Sequence, residues 1–421
     1  MLIRLLYTLL ITLAAPFFLY GLYKKKPNKP AFAERWVEHF GFTPKLNDPN
    51  GKPIWIHTVS VGEAIAATPF IKTLKAKHPN TPIVVTTTTS TGAAEIAKLA
   101  PLIEHRYMPL DLPFAVKGFL KAIRPMKLII METELWPNTL HYAAKSGIPI
   151  TIINARLSQR SCSRYQKFQA VFDLLSSNIK TILCQTKDDA QRFAQLGVAQ
   201  EKIHVTGSIK FDIEITDAIK QRGMDLRKEL ATTRPVWIAA STHHGEDEKI
   251  VAAHKQLLEL IPNALLIIVP RHPERFDAVY FMCQAQHLKV ARRSHKEPID
   301  VDTQVYLGDT MGEMLTLIGA ADICFMAGSL LGNAVGGHNV LEPAALAKPI
   351  LIGPSYFNFQ QISEQLIALG ACTVCHDSSE ISTQLLTLFN APDIRKTQGN
   401  NALALVNKSK GAVQRTLSYF L

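Results

Sequence analysis

The sequence predicts an α/β protein made of two doubly wound, Rossmann-like domains that face a cleft. Short apolar segments of strand length alternate with amphipathic segments of helix length, which is the pattern of βαβ units around a parallel sheet. The alternation restarts in the second half of the chain, whose 421 residues exceed one ordinary domain. Two domains of about 200 residues each fit this length.

The first series of strands follows a loop rich in Pro, Asn and Gly. Amphipathic segments such as Gly62–Lys77 and Thr91–Leu99 fill the intervals between strands as helices. We expect a first domain over residues 31–212, after an N-terminal segment of residues 1–30. Its predicted strands are Ile54–His57, Ile83–Thr87, Lys127–Met131, Ile148–Asn154, Thr181–Gln185 and Ile203–Val205.

The second series begins beyond a hinge predicted near Gly207–Asp217 and indicates a second domain over residues 213–404. The last helix, roughly Ile394–Leu421, is expected to return to the first domain with residues 405–421. Because doubly wound sheets bind ligands at the carboxyl ends of their strands, we expect the functional side chains there. The predicted strands are Val236–Ala240, Ala264–Val269, Gln304–Leu307, Ile323–Met326, Pro349–Ile352 and Cys372–Val374.

The N-terminal segment is almost continuously apolar from Leu5 to Tyr20, and Lys24–Lys26 and Lys29 follow it. A secretory signal carries its positive charge before the apolar run and a small-residue cleavage site after it. Charge behind the run predicts instead that the following domains stay in the cytoplasm. The run is short for a span of ~20 residues, so spanning and lying in the interface both stay open. We predict attachment to a membrane.

Charge and cysteine usage narrow the class of protein. Residues 1–212 hold 27 Lys and Arg against 14 Asp and Glu, whereas the remainder holds 19 against 21, so the net charge of +11 comes from the first part. This excess of positive charge favours a first domain that binds anions: lipid headgroups, a phosphorylated substrate or nucleic acid. Six cysteines without framework spacing favour a reduced, intracellular protein. The lone Cys372–Cys375 pair lacks the second pair that a structural zinc needs.

The first predicted strand leads into Ser60-Val-Gly62-Glu63. A capping box explains this spacing, with Glu63 satisfying the start of its own helix. The same carboxylate also lies where a ligand would bind, beside a glycine that leaves room for a substrate to approach. The two interpretations are compatible.

Polar side chains also end the next two predicted strands. Thr88 and Ser90 belong to a hydroxyl-rich helix start, which suits an anion or a sugar as well as a simple N-cap. Glu132 and Glu134 follow a buried strand, where two carboxylates are costly unless they are solvated or paired. A functional position is therefore favoured for this pair.

A row of basic residues follows the next strand. Arg156, Arg160, Arg164 and Lys167 share one face if the segment is helical. A solvated basic face explains such a row, and beside a membrane anchor a phosphate-binding face explains it equally well.

The second domain lacks the familiar nucleotide motifs, because neither GxxxxGK[ST] nor GxGxxG follows a strand. This argues against a P-loop enzyme and a dinucleotide dehydrogenase. Pro270 and Arg271 follow the second strand and are candidates for donor binding, and the Arg271 guanidinium could bind phosphate with two hydrogen bonds. Other candidate nucleotide-binding residues at strand ends are Ser241, Met311, Gly312 and Glu313.

The most specific of these candidate nucleotide-binding motifs is the segment Gly336-Gly337-His338-Asn339-Val-Leu-Glu342. Paired glycines let backbone amides reach a phosphate at a helix start, and Glu342 could accept hydrogen bonds from both ribose hydroxyls. Alternatively, Glu342 only complements the helix dipole. We include Gly337, Asn339 and Glu342 among the candidates. Asp300-Val-Asp302 lies in a polar loop before a strand, so we read it as surface and expect no required metal.

Together, these motifs resemble the 3-deoxy-D-manno-oct-2-ulosonic acid (Kdo) transferase family of Gram-negative bacteria over nearly the whole chain. The resemblance rests on the apolar N-terminal segment and on motifs in order: Ser60-Val-Gly-Glu63, Glu132-Thr-Glu-Leu-Trp-Pro137, Asn154-Ala-Arg156-Leu-Ser158, Ser241-Thr-His-x-Gly-Glu246, Pro270-Arg-His-Pro273, Gly336-Gly-His-Asn339 and Leu341-Glu-Pro343.

The resemblance implies a GT-B fold, CMP-Kdo as donor and a lipid A precursor as acceptor. It also implies inversion at the anomeric carbon without a metal or other cofactor, at the cytoplasmic face of the bacterial inner membrane. It identifies Glu63 as the general base and Glu132 as a further important residue. The acceptor-side candidates are Gly62, Thr88, Ser90, Glu134, Arg156, Arg160 and Arg164.

We hypothesise that Glu63 takes the proton of the attacking sugar hydroxyl while Arg271 and the amides near Gly337 and Gly312 stabilise the departing CMP. The rival functions are a GT-B transferase that uses a UDP-sugar, an epimerase of UDP-N-acetylglucosamine and an inactive, membrane-tethered binding protein. A nucleic-acid-binding protein fits the charge but lacks a recognition motif.

Overall fold

The computed structural model describes residues 2–24, 30–48, 50–230 and 233–420. The chain divides into two compact units, Met1–Asp212 with Lys410–Leu421, and Ile213–Ser409. Each unit contains one parallel sheet of seven strands with helices between them. The predicted architecture of two parallel sheets is confirmed.

Helix α1 (Leu2–Tyr23) opens the first unit and is long and apolar enough to cross a membrane. It packs against the unit near both of its ends. The Arg4 guanidinium and the Thr8 hydroxyl each lie 3.4 Å from the Asn138 side-chain oxygen, and Tyr23 packs against Phe32. The helix is compatible with the predicted membrane attachment. The basic residues Lys25, Lys26 and Lys29 lie outside the described residues.

The sheet of the first unit has the strand order β3-β2-β1-β4-β5-β6-β7. Its strands are β1 (Ile54–His57), β2 (Ile83–Thr87), β3 (Glu104–Tyr107), β4 (Lys127–Met131), β5 (Ile150–Ala155), β6 (Thr181–Cys184) and β7 (Ile203–Val205). Strand β3 was missed by the sequence analysis. It is polar, and it lies at the edge of the sheet, where burial on both sides is not required.

Helices cover both faces of this sheet, which explains its continuously apolar inner strands. Ile54 and Ile56 belong to one buried cluster, and Trp55, which points to the opposite face, belongs to another. After α1 the helices are α2 (Val61–Lys77), α3 (Ser90–Ala97), α4 (Pro113–Ile123), α5 (Pro137–Lys145), α6 (Gln159–Lys167), α7 (Gln169–Ser176) and α8 (Lys187–Gln195).

The second unit repeats this plan with the strand order β10-β11-β9-β8-β12-β13-β14. The strand that the sequence analysis missed, β10, is again at an edge. In chain order the elements are α9 (Asp217–Glu229), β8 (Val236–Thr242), α10 (Asp247–Leu260), β9 (Leu265–Pro270), α11 (Phe276–Ala285), β10 (Val290–Arg292), β11 (Val305–Leu307), α12 (Met314–Ala320), β12 (Ile323–Met326), α13 (Leu341–Ala345), β13 (Ile350–Ile352), α14 (Gln360–Ala368), β14 (Cys372–Val374), α15 (Ser378–Asn390) and α16 (Pro392–Ser409).

The prediction of one long C-terminal helix was wrong, because the chain forms α16 and then a separate helix, α17 (Ala412–Leu417). Gly411, with φ of 88°, separates them in the left-handed conformation that glycine tolerates. The Asp212 carboxylate caps α17 by accepting the backbone N–H groups of Gly411 (2.6 Å) and Val413 (2.5 Å). Val413 and Leu417 enter a core cluster of the first unit, which explains why the final turns belong to it.

Candidate functional site

The carboxyl ends of β1 and β4 form the topological switch point of the first unit. These strands are neighbours, but the chain continues from β1 towards β2 and from β4 towards β5, on opposite sides. Such a switch point opens a crevice in which doubly wound sheets bind ligands. Glu63, in the first turn of α2 after β1, and Glu132, directly after β4, both belong to it.

Glu63 forms a variant of the predicted capping box, in which its carboxylate accepts the N–H of Val59 instead of that of the N-cap Ser60. The Ser60 hydroxyl lies 3.0 Å from Glu63 Oε1 and accepts the Glu63 N–H at 3.3 Å, while the Val59 N–H donates to Oε2 at 2.9 Å. Burial, together with the nearby carboxylates of Glu132 and Glu134, raises the pKa of Glu63 to about 7 against the opposing hydrogen bonds from Val59 and Ser60. Such a pKa lies near working pH, as a general base requires.

A second glutamate in the same local geometry shows that capping alone does not produce this shift. Glu380 is at the equivalent position of α15, where Asp377 is the N-cap, and it accepts the His376 N–H at 2.8 Å. Glu380 is exposed, and hydrogen bonds from the His376 backbone and side chain lower its pKa. The raised pKa of Glu63 therefore comes from its surroundings in the switch point.

Glu132 is held in an unusual backbone conformation, with φ of 57°, and pairs with Lys210 at 3.0 Å. Strain of this kind concentrates at functional sites. The backbone of Asn154 is also in the left-handed conformation. Its side-chain oxygen accepts the N–H of Ile209, the residue directly before Lys210, and so holds that segment in place. The sequence analysis missed Lys210. Its only local signal is that a lysine follows the carboxyl end of β7.

The other acceptor-side candidates near this point differ in their roles. Burial, and then the charge of Glu132, raise the pKa of Glu134. Thr88 donates its N–H to the Val59 carbonyl at 3.4 Å, so it borders the segment that holds Glu63. Ser90 is buried, with a hydroxyl that has no partner among the described residues. Gly62 is exposed, and the space around it is open.

The predicted four-residue basic face is wrong at Arg156. Helix α6 begins only at Gln159, after the N-cap Ser158, so Arg156 lies before the helix. The chain is extended there because Leu157 is buried and its N–H donates to the Asp189 carboxylate at 2.9 Å. The basic residues that α6 does carry are exposed: Arg160, Arg164 and Lys167.

The second unit has its own switch point between β8 and β12. Ser241 lies there in a left-handed conformation, with φ of 63°, at a register shift between Ala240 and Thr242. Glu246, just before α10, accepts the N–H groups of the loop after β12 at 2.7–3.1 Å. Glu246 thus fixes this loop against the end of β8.

Arg271 and Glu342 occupy a common electrostatic environment at this end of the sheet. Burial raises the pKa of Glu342, whereas the Asn339 amide, 3.2 Å from its Oε1, and the positive charge of Arg271 oppose the rise. The Arg271 N–H donates to the Thr242 carbonyl at 2.9 Å, which anchors the residue to β8. The second unit therefore brings Arg271, Asn339 and Glu342 together as predicted from the order of the strands.

Two histidines that the sequence analysis did not select complete this cluster. The rings of His243 and His338 are nearly parallel and meet edge to edge, with their Nε2 atoms 2.7 Å apart. Burial, followed by nearby positive groups that include Arg271, lowers the pKa of His243 to about 4 and that of His338 to about 3. Both rings are therefore neutral at pH 7, and one Nε2 must donate to the other.

Comparison with known proteins places this geometry in a family. A family model described as 3-deoxy-D-manno-octulosonic-acid transferase (kdotransferase) matches residues 34–213. The 3-deoxy-D-manno-octulosonic acid transferase of Haemophilus influenzae is 39% identical over 416 residues, covering 98% of this chain and 97% of that protein. The Bordetella pertussis enzyme of the same name is 34% identical, covering 88% of this chain and 87% of its own. The chain belongs to the Kdo transferase family.

The fold of this Kdo transferase agrees with a solved structure of another enzyme. The crystal structure of UDP-GlcNAc 2-epimerase from Neisseria meningitidis aligns with a TM-score of 0.56 at 16% identity, covering 87% of this chain and 100% of that one. At this identity the likeness concerns the fold alone, and it confirms the predicted GT-B type. The family membership confirms a glycosyltransferase and does not favour the UDP-sugar alternative.

Some donor-side expectations for this Kdo transferase need correction. The Gly337 N–H donates to the Gly328 carbonyl at 2.8 Å, so the expectation that this amide is free to reach a phosphate is wrong. Glu313 is paired with Arg293, whose two contacts at 2.6 and 2.7 Å hold the glutamate pKa at about 2. Met311 is exposed, and Gly312 is left-handed, with φ of 81°, in open space.

The acidic pair Asp300 and Asp302 lies on an exposed surface of this Kdo transferase, where both carboxylates contact Lys289 at 3.2 and 2.6 Å. Over the described ranges, no group of three or more His, Cys, Asp or Glu side chains could hold a metal ion. Cys372 and Cys375 are buried, free thiols.

Proposed function

We propose that this Kdo transferase moves Kdo from CMP-Kdo to a lipid A precursor, with inversion at the anomeric carbon and without a metal or other cofactor. The second unit would bind the donor and the first unit the acceptor. Helix α1 would attach the enzyme to the cytoplasmic face of the bacterial inner membrane. The family membership supports the reaction, and the two switch points support the division of roles.

The observation that carries the mechanism is the Glu63 carboxylate, whose pKa of about 7 leaves it partly ionised at neutral pH. It would take the proton of an acceptor hydroxyl as that oxygen bonds to C2 of Kdo. The bond between C2 and the phosphate oxygen breaks, and its electron pair leaves with CMP. A positioned base contributes roughly 10²–10⁴-fold to the rate.

The leaving group sets the demands on the donor side. CMP departs as a phosphate monoester anion, so it needs fixed positive charge and hydrogen-bond donors rather than a protonating acid. Arg271 is suited to bind the phosphate with two hydrogen bonds. Glu342, oriented by Asn339, would bind the ribose hydroxyls, and Ser241 would approach the nucleotide from the end of β8.

On the acceptor side, the ion pair of Glu132 and Lys210 would tune the base. The charge of Glu132 raises the pKa of Glu63, and Lys210, 3.0 Å from Glu132, offsets part of that charge. Arg160, Arg164 and Lys167, exposed on α6, together with Arg156, offer positive charge for the phosphates of the lipid or for anionic headgroups.

The test is turnover of CMP-Kdo with a tetraacylated, bisphosphorylated lipid A precursor in detergent and EDTA, followed by mass spectrometry. We expect Kdo-lipid product from the wild type and from the capping control Glu380→Gln, and severe loss with Glu63→Ala. Absence of product from folded wild type with fresh donor would contradict the donor and acceptor assignment. Equal product from Glu63→Ala would leave Glu63 only its structural role in the capping box.

A further inference from the structure

An apolar cavity of about 140 Å³ lies between α1 and the rest of the first unit. Ile11, Ala15 and Phe18 line it from the helix, and Leu110 and Trp136 line it from the unit. The opposite face of α1 is also apolar and is exposed to the surroundings, with Leu13 at 64% and Phe17 at 81% exposure. The helix therefore has one apolar face for a membrane and another that covers a cavity.

Two residues that line the cavity, His39 and Trp136, each carry a ring nitrogen that is buried and unpaired within the described part of the chain. His39 is 1% exposed, and its Nε2 is buried without a partner among the described residues, as is Trp136 Nε1. The other ring nitrogen of His39 is engaged by the Tyr23 hydroxyl at 2.7 Å. Because an indole nitrogen can only donate, it requires an acceptor such as a carbonyl oxygen.

The cavity is also continuous with the segment that holds the proposed base. Thr88 lines the cavity and donates its N–H to the Val59 carbonyl at 3.4 Å. The Val59 N–H in turn donates to Glu63 at 2.9 Å. A lipid whose sugar hydroxyl is bound at Glu63 would thus have its acyl groups within reach of the cavity.

We propose that this cavity binds the carbonyl-bearing end of one acyl chain of the lipid acceptor, which enters beside α1. The inference rests on the proposed function, because it takes the acceptor to be an acylated sugar phosphate. An apolar cavity of about 150 Å³ accommodates a molecule of the size of benzene. The site therefore holds an amide or ester carbonyl and a few methylenes, and the rest of the chain stays in the bilayer. Each buried methylene increases affinity about fourfold.

A kinetic experiment tests the site with two acceptors and two matched variants. The acceptors are the tetraacylated disaccharide bisphosphate and the same headgroup carrying only acetyl groups. Ala15→Leu fills the cavity, and Thr12→Leu places the same side chain at an exposed position of α1 that does not line it.

We expect Ala15→Leu to raise KM for the tetraacylated acceptor at least tenfold, with kcat and the KM for the acetyl acceptor unchanged. Thr12→Leu should match the wild type with both acceptors. Equal KM values for the two variants would overturn the proposal. So would an equal loss with both acceptors, since filling the cavity would then act on something other than the chain.

Photolabelling without donor separates this site from turnover. An acceptor with a diazirine beside an acyl carbonyl should label Ile11, Phe18 or Trp136, and unlabelled acceptor should compete whereas a tenfold excess of phosphatidylethanolamine should not. Labelling of Leu13 and Phe17 instead, or competition by the phospholipid, would overturn the proposal. If the wild type makes no product but this labelling holds, the proposed function fails and the acyl site stands. Turnover without this labelling would overturn the proposed acyl site and leave the proposed function standing.

Discussion

Replacing Glu63 by Gln separates its chemistry from its structural role. The substitution keeps the size of the side chain and an oxygen that can accept the Val59 N–H, which now donates at 2.9 Å. It removes the only group at this position that can take a proton. We expect kcat to fall roughly 10²–10⁴-fold, which corresponds to about 3–5 kcal/mol in the activation barrier.

The same substitution has an opposite effect on stability. The pKa of Glu63 rises from its ordinary 4.5 to about 7 on folding. A raised pKa means that the stability contributed by the protonated group is present below pH 4.5 and is lost as pH rises through about 7. The full shift corresponds to about 3 kcal/mol, and solvent screening of this half-buried group reduces it to about 1–2 kcal/mol. Glutamine does not titrate, so Glu63→Gln should be as stable as the wild type at pH 8.5, or about 1 kcal/mol more stable.

The assay is kcat between pH 5.5 and 9 together with urea unfolding at pH 8.5. The wild-type rate should rise with pH to a plateau, with a midpoint near the Glu63 pKa of about 7, and the Glu63→Gln rate should be low and flat. Glu380→Gln removes a carboxylate from the same capping geometry and should keep the wild-type profile. A Glu63→Gln variant with kcat within fivefold of the wild type would refute the reasoning.

Three further substitutions test the surroundings of both sites. Lys210→Met leaves the charge of Glu132 uncompensated, so the pKa of Glu63 should rise and kcat at pH 7 should fall about tenfold; an unchanged midpoint in the pH profile would contradict this. Arg271→Lys cannot form two parallel hydrogen bonds to phosphate, so the Kd of CMP measured by calorimetry should rise about tenfold, and unchanged binding would exclude the assigned role. Asp212→Ala removes the acceptor for two amides of α17 and should lower the free energy of unfolding by about 1–2 kcal/mol in urea; an unaffected unfolding curve would show that the cap adds nothing.

Most strands could be predicted from the sequence because inner strands of a parallel sheet are buried on both faces and are therefore continuously apolar. The two strands that were missed, Glu104–Tyr107 and Val290–Arg292, are both at sheet edges. An edge strand can carry charged side chains, so composition does not separate it from a loop. The last helix was predicted wrongly because its interruption depends on a residue far away in the chain. The left-handed Gly411 ends the first part, and the distant Asp212 caps the second.

Local motifs were predicted well where only neighbouring residues decide them. The capping box of Ser60 and Glu63 needs three residues of spacing, and the structure confirms the bond from the Glu63 N–H to the Ser60 hydroxyl, whereas the glutamate accepts the N–H of Val59 rather than that of Ser60. Arg156 failed as a helical residue because burial of Leu157 and its bond to Asp189 hold the chain extended. Neither effect is visible in the local spacing of charges.

The sequence by itself determined the two-sheet class, the order of the motifs and the strand ends at which reactive side chains lie, because periodicity and chain order are local properties. Only the tertiary structure decided which groups meet there. It paired Lys210 with Glu132, joined His243 to His338 and closed a cavity beneath α1. It also made Glu63 differ from Glu380: the two glutamates share one local capping geometry, but their pKa values shift in opposite directions. Burial and long-range charge set a pKa, and both arise from residues far away in the chain.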